Sequence, residues 1–169
     1  MFHPDLSYSP AQWSNFFSAE VGASATLTGL LFVAVSINLS KIISIPHLAS
    51  RVAKGLMTLV GVMFAASLCL VPGQPTSALG VELITLGAFI WVTVTMLQRA
   101  SASGNPHISH LQLVGQRILT QLSAIPLVVC GASLICAQGG GLFWLLGGVI
   151  ASLTSALLDA WVLLIEIHR

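Results

Sequence analysis

Three acidic residues in or beside the apolar stretches of the chain are the strongest candidates for chemistry. They are Glu20, Glu82 and Asp159. A charge near the centre of a bilayer costs at least about 2.5 kcal/mol on insertion scales, so it is kept only with a partner or with access to water. Carboxylates in such a setting can hold a cation or carry a proton. We therefore predict an ion or proton site at Glu20, Glu82 and Asp159.

The same residues also have structural explanations. Asp159 lies about seven residues, or roughly 10 Å, from the predicted cytoplasmic end of its helix, and Arg117 lies at a similar depth in the preceding one. A buried Asp159–Arg117 ion pair would satisfy two charges that otherwise stand unmatched at low dielectric. Glu20 and Glu82 fall near one depth in the opposite leaflet. There they could share a cation or proton, or could each reach water or nearby hydroxyl groups.

The chain carries no motif for catalysis. It has no phosphate-binding glycine loop, no nucleophile elbow and no His-Glu metal motif. His107 and His110 stand three residues apart without a carboxylate neighbour, which is a weak metal signal. The formal net charge of +1 gives no basic footprint for nucleic acid. We predict no enzyme, no cofactor, no metal site and no nucleic-acid partner.

The composition indicates that the elements holding these residues lie in a membrane. Of 169 residues, 56% are apolar and 7% are charged, whereas soluble domains carry about 25% charged residues. The fold class is therefore all-α, a polytopic helix bundle forming one transmembrane domain over residues 1–169. The first helix should run unbroken from Pro10 to about Ile45, and Pro46 either ends it or opens the next. The five predicted spans cover residues 21–40, 55–71, 77–97, 112–137 and 142–165.

The basic residues predict the orientation of these spans. They fall between the first and second spans, between the third and fourth, and at the end of the chain; they are Lys41, Arg51, Lys54, Arg99, Arg117 and Arg169. Because basic connections stay in the cytoplasm, the N-terminus is predicted outside and the C-terminus inside. Removing any one middle span would place basic residues on both sides of the membrane, so five spans fit better than four.

Small residues mark the faces on which helices should pack. Association in lipid depends on close backbone approach, which small side chains permit. Such faces occur on the first and fifth spans, at Gly22, Ala25 and Gly29 and at Gly147, Ala151 and Ser155. They fit either packing within one chain or contact with a second subunit.

Two local features leave alternatives open. Cys69, Cys130 and Cys136 lack the paired spacing of a redox or zinc motif and are expected to be packing residues, although Cys69 and Cys136 approach one predicted surface and could form a disulfide. Pro126 lies inside the fourth helix, where it removes a backbone donor. It is either a hinge or a static bend.

The N-terminal helix carries a family resemblance. Its residues 13–20, WSNFFSAE, and 21–39, VGASATLTGLLFVAVSINL, resemble the opening of a group of short bacterial multi-span membrane proteins, some of which are named as modulators of the FtsH protease. The resemblance implies a bacterial cytoplasmic membrane and carries over no catalytic or ligand residue.

Two functions of different classes follow from these features. The first is an interaction protein that acts through helix-helix contacts, as a homo-oligomer or as an accessory or regulatory subunit of a membrane complex. The second is an oligomeric channel or transporter for a small cation or proton, with Glu20 and Glu82 at an outer mouth and Asp159 deeper inside. The expected partners are membrane lipid and another membrane protein or a second copy.

Overall fold

Long helices account for almost all of the chain. A computed structural model describes residues 7–103 and 110–168, without the side chains of residues 46, 47, 101–103, 110–113, 164 and 166–168. His107 therefore lies outside the described residues. A single 3₁₀ turn, Pro10–Trp13, comes first. The described part forms six α-helices: α1 Ser14–Ile37, α2 Leu39–Ser44, α3 Pro46–Cys69, α4 Thr76–Ser103, α5 His110–Cys136 and α6 Phe143–His168.

Five helical segments are long and apolar enough to cross a membrane. They are Pro10–Ile37, Leu48–Cys69, Thr76–Ala100, Val114–Cys136 and Phe143–Leu163. The predicted all-α fold with five membrane-spanning helices is confirmed, and the chain is a multi-pass membrane protein by the length and composition of its helices. Its orientation across the membrane stays a prediction.

The first helix is not continuous, contrary to prediction. The backbone leaves helical geometry at Asn38, where φ is −109° and ψ is 19°. The Asn38 side chain donates to the carbonyl of Ala34 at 2.9 Å, and its backbone N–H bonds the carbonyl of Val35 at 3.1 Å. Asparagine competes with helix hydrogen bonding in this way. The short helix α2 follows.

The second membrane helix begins earlier than the sequence predicts. Pro46 takes the first position of α3, where its missing N–H costs nothing and its fixed φ suits a helix. The predicted start was Gly55, with Arg51 and Lys54 in a turn before it. Instead, both basic residues lie within α3.

Four of the helices form a closed ring, and a fifth packs on the outside of this ring. α3 packs against α4, α4 against α5, α5 against α6, and α6 returns to α3, while α1 packs on the outside of α3. One core of buried apolar residues, including Phe17, Cys69, Leu83, Cys130 and Leu145, lies nearer the predicted outer end. A second, between α1, α3 and α6, lies at the basic end. As a consequence, α1 has a single large helix contact.

Ser7 and Tyr8, the first described residues, pack on the loop between α5 and α6. The backbone N–H of Leu142 donates to the Ser7 carbonyl at 2.9 Å, and the N–H of Gly140 donates to the Tyr8 hydroxyl at 3.2 Å. Gly141 has a φ of +52°, and a Cβ there would collide with the Ser7 carbonyl. Glycine at position 141 therefore permits this contact.

Candidate functional site

A buried carboxylate with two cations forms the most distinctive polar site. Asp159 on α6 accepts a hydrogen bond from Arg51 Nε to its Oδ1 at 3.1 Å, and Lys54 Nζ lies 2.7 Å from its Oδ2. The Lys54 contact is a close ion pair whose angles fall outside hydrogen-bond geometry. The side chains of Lys54 and Asp159 are 5% and 6% exposed, and that of Arg51 is 15% exposed.

Local helix geometry brings these three residues together. Arg51 and Lys54 are three residues apart on α3, so both point from one side of that helix. α3 packs against α6, and Gly55 faces Asp159: a Cβ at Gly55 would lie at van der Waals distance, 3.8 Å, from Cβ of Asp159. The hydroxyl of Thr58 donates to the Lys54 carbonyl at 2.9 Å. The site is thus built on two packed helices.

The predicted partner of Asp159 was wrong. Arg117 lies on α5 with an exposed side chain, and Arg51 and Lys54 take the place expected for it. The error follows from the start of α3, because a turn before Gly55 would have kept these cations at the membrane surface. An uninterrupted apolar helix after Pro46, with basic residues three apart, was the signal that could have identified them.

The cluster holds more positive than negative charge. It combines two cations with one carboxylate. A buried ion pair gains little net stability, because the Coulomb attraction is offset by desolvation, yet removing one partner leaves a costly buried charge. The formal positive charge in excess suits binding of a further anion.

Hydroxyl groups extend this polar region toward the middle of the ring of helices. They belong to Thr58, Thr120, Ser123, Ser152 and Ser155, and they surround about 10 Å³ of internal space, roughly the room for one water. Beyond them lies the apolar core nearer the predicted outer end.

The two glutamates have different surroundings. Glu82 on α4 accepts a hydrogen bond from Gln74 Nε2 at 2.6 Å. Glu20 on α1 is half-buried, and its Oε2 has no hydrogen-bond partner. Within the described part of the chain, no hydrogen bond or ion pair joins Glu20 to Glu82.

The small-residue faces divide into packed and open parts. On α6, Ser155 is buried and Ala151 half-buried, whereas Gly147 is exposed with nothing within 4 Å of a Cβ placed there. On α1, the predicted packing residues lie open. These are Gly22, Ala25 and Gly29.

Cys69, Cys130 and Pro126 are buried in the bundle, and Cys136 is exposed. Cys69 and Cys130 are buried free thiols, and Cys136 is an exposed free thiol, so the structure contains no Cys69–Cys136 disulfide. Pro126 lies inside α5, and a Cβ at Gly148 of α6 would lie 3.0 Å from its ring. The described residues contain no cluster of three or more metal-ligating side chains.

Comparisons of the chain with protein-family models, curated proteins and solved structures find no match.

Proposed function

We propose that this chain acts through helix-helix interaction in a bacterial cytoplasmic membrane, and that the open face of α1 binds a second copy of the chain. This open face consists of Gly22, Ala25, Thr26 and Gly29, all exposed. The observation that carries the proposal is the poor coverage of α1. Only 11% of its membrane window is buried, against 28–56% for the other four spans.

The inward side of α1 is a narrow seam. One row of its buried and half-buried residues recurs at alternating steps of three and four, at Phe17, Val21, Ser24, Thr28, Leu31 and Val35, and the half-buried Phe16, Glu20, Leu27 and Ala34 flank this row. This spacing is that of helices packed knobs-into-holes. α3 packs against this seam. The opposite side of α1 therefore remains available to another helix.

The open face of α1 suits a close helix contact. Gly22 and Thr26, and likewise Ala25 and Gly29, are four residues apart, which is the small-xxx-small spacing of membrane helix dimers. A Cβ at Gly22 or Gly29 would meet nothing within 4 Å. The Thr26 hydroxyl already donates to the Gly22 carbonyl at 2.7 Å. The face is uncharged and self-complementary, which favours a second copy, since two-fold dimers are the commonest oligomers.

The channel alternative has less support. It requires Glu20, Glu82 and Asp159 to face water, but Asp159 lies between two cations of its own chain and Glu82 binds Gln74. Two of the three predicted acids are therefore engaged within the chain, and Glu20 alone is left for a conducting path. Helix-helix interaction needs none of these side chains to be open.

Cysteine cross-linking tests the proposed contact. In a Cys136→Ser background, Ala25→Cys should form a disulfide-linked dimer on mild oxidation in membranes. Ala88→Cys, at an exposed position on α4, should not. A partner from another protein would give an Ala25→Cys adduct of different mass, and this outcome would refute self-association.

A steric substitution provides the matched comparison. Gly29→Ile should lower the dimer association constant at least about tenfold, which corresponds to 1.4 kcal/mol. Gly147→Ile makes the same change at another open glycine, on α6, and should leave the dimer unchanged. Single-molecule photobleaching in liposomes measures both. Equal dimer fractions for Gly29→Ile and the wild type would refute the α1 contact.

A further inference from the structure

An apolar groove opens on the bundle surface between α1 and α6. Both helices pack on α3, and they have little contact with each other. The groove has a volume of about 190 Å³. Its lining is apolar apart from Asn38 and includes Leu30 and Ala34 of α1, Leu59 of α3, and Leu157 and Ala160 of α6.

The groove is open to the surrounding lipid. Leu30 and Leu157, on its two sides, are both exposed. Along α1 it extends from Leu27 to Asn38, which is roughly 16 Å at 1.5 Å per residue. An engineered cavity of about 150 Å³ accommodates benzene, so this groove has room for several methylene groups of an acyl chain.

The Asp159 cluster adjoins the groove beside Leu31, partway along its length. Arg51, Gly55 and Leu59 recur every four residues on α3 and therefore share one side of that helix. A Cβ at Gly55 would lie 3.5 Å from the groove residue Leu31 and 3.8 Å from Cβ of Asp159. Gly55 is thus the boundary between the apolar groove and the charged cluster.

We propose that the groove binds an acyl chain of an anionic phospholipid whose phosphate lies at Arg51. The cluster has one positive charge in excess, and Arg51 is its most exposed member. Its guanidinium has five N–H donors, of which Nε–H is directed to Asp159, and the fork of the remaining donors matches phosphate geometry.

The charge environment favours an anion at this position. Among acids with described side chains, Glu20 and Glu82 lie near the opposite end of the bundle, and Asp159 is the acid at this end; the side chains of Asp5 and Glu166 are outside the described set. The basic end is the predicted cytoplasmic one. Basic pockets between membrane helices on that side are typical sites for anionic lipid headgroups.

Native mass spectrometry of the detergent-purified protein tests the proposal with dioleoyl phosphatidylglycerol and dioleoyl phosphatidylcholine as probes. The wild type should bind the first anionic lipid about fivefold more tightly than the zwitterionic one, the factor expected for one basic residue. Equal affinities would overturn the proposal. Glycerol 3-phosphate, a headgroup without acyl chains, should not compete, and competition at equal concentration would overturn the role of the groove.

Two matched pairs of variants locate the site. Arg51→Gln leaves the Lys54–Asp159 pair neutral and should abolish the preference for phosphatidylglycerol, whereas Arg117→Gln removes an exposed cation from α5 and should retain it. Ala34→Trp fills the groove and should weaken binding of phosphatidylglycerol about fivefold, while Ala132→Trp, at an exposed position on α5, should not. Indistinguishable members within either pair would overturn the assignment.

A measurement of folding distinguishes a lost lipid site from a misfolded variant. Each variant is first checked for a single folded species by its helical circular dichroism. If Ala34→Trp does not fold, Ala160→Leu narrows the same groove by a smaller step and should weaken phosphatidylglycerol binding relative to Ala132→Leu. An unchanged affinity for Ala160→Leu would overturn the proposal.

Discussion

Gly80 of α4 and Gly131 of α5 cross with their backbones in contact. A Cβ at Gly80 would lie 2.7 Å from the carbonyl oxygen of Gly131, and a Cβ at Gly131 would lie 2.5 Å from the carbonyl oxygen of Gly80. Real Cβ atoms do not approach backbone oxygens so closely. Only glycine at both positions allows this crossing of α4 and α5.

Gly131→Ala should therefore destabilise the protein by about 1–3 kcal/mol, the usual cost of overpacking. The added methyl group meets backbone, which cannot move aside as a flexible side chain can. Thermal unfolding in detergent, followed by circular dichroism, measures the loss. Gly115→Ala on the same helix provides the control, because its methyl group enters open space. Equal midpoints for Gly131→Ala and Gly115→Ala would contradict the close crossing.

Asp159→Asn should cost about 3–5 kcal/mol, because it leaves Arg51 and Lys54 buried without a counter-charge. Lys54→Met should cost much less, since it leaves a neutral Arg51–Asp159 pair and adds an apolar chain of similar volume. Denaturant titration in mixed micelles measures both variants. Arg117→Gln tests the pairing expected from sequence and should be close to neutral. A loss for Arg117→Gln as large as that for Asp159→Asn would contradict the observed cluster.

Gly141→Ala should release Ser7 and Tyr8 from the loop between α5 and α6. The substitution places a Cβ against the Ser7 carbonyl and keeps a residue other than glycine at a φ of +52°, which alone costs roughly 1–2 kcal/mol. Limited chymotrypsin digestion should then cleave faster at Tyr8.

Gly73→Ala distinguishes the effect of backbone strain from the effect of a steric collision with Ser7. Gly73 has a φ of +70°, and a Cβ there would meet nothing within 4 Å. It should lose stability by backbone strain alone, with unchanged cleavage at Tyr8. Faster cleavage in Gly73→Ala as well would show that the effect is not local to the Ser7 contact.

Cys136 should be the one native cysteine that reacts with a membrane-impermeant maleimide in the folded protein. It is exposed near the predicted outer end of α5, whereas Cys69 and Cys130 are buried. In intact cells the reagent should label Cys136 from outside. In a Cys136→Ser background, Ser40→Cys, exposed on α2 at the basic end, should react only after permeabilisation. The reverse labelling pattern would invert the orientation of every span.

The helices could be predicted from the sequence because apolar length is a property of each segment alone. Five windows separated by proline, glycine and polar turns gave the right number of spans. The break at Asn38 could not be predicted in the same way, since it depends on a side chain competing with the backbone at one position. The start at Pro46 was ambiguous because proline serves equally as a helix stop and as a first residue.

The candidate site was predicted in part. Asp159 was identified from the cost of a buried charge, and its need for a cation was correct. The choice of Arg117 relied on depth along adjacent helices in sequence, but depth does not reveal which helices are neighbours. α6 packs against both α5 and α3, and the position of Arg51 and Lys54 within α3 became clear only with that contact.

The hydrogen bond from Leu142 to Ser7 also sets an order of events during biosynthesis. The two residues are separated by 135 positions in the chain, and a ribosome adds about 5–20 residues per second, so the acceptor is made roughly 7–27 s before its donor. Through that interval the Ser7 carbonyl lacks this hydrogen-bond donor. Closure of this end of the molecule is accordingly a late step, completed when the final hairpin enters the bilayer.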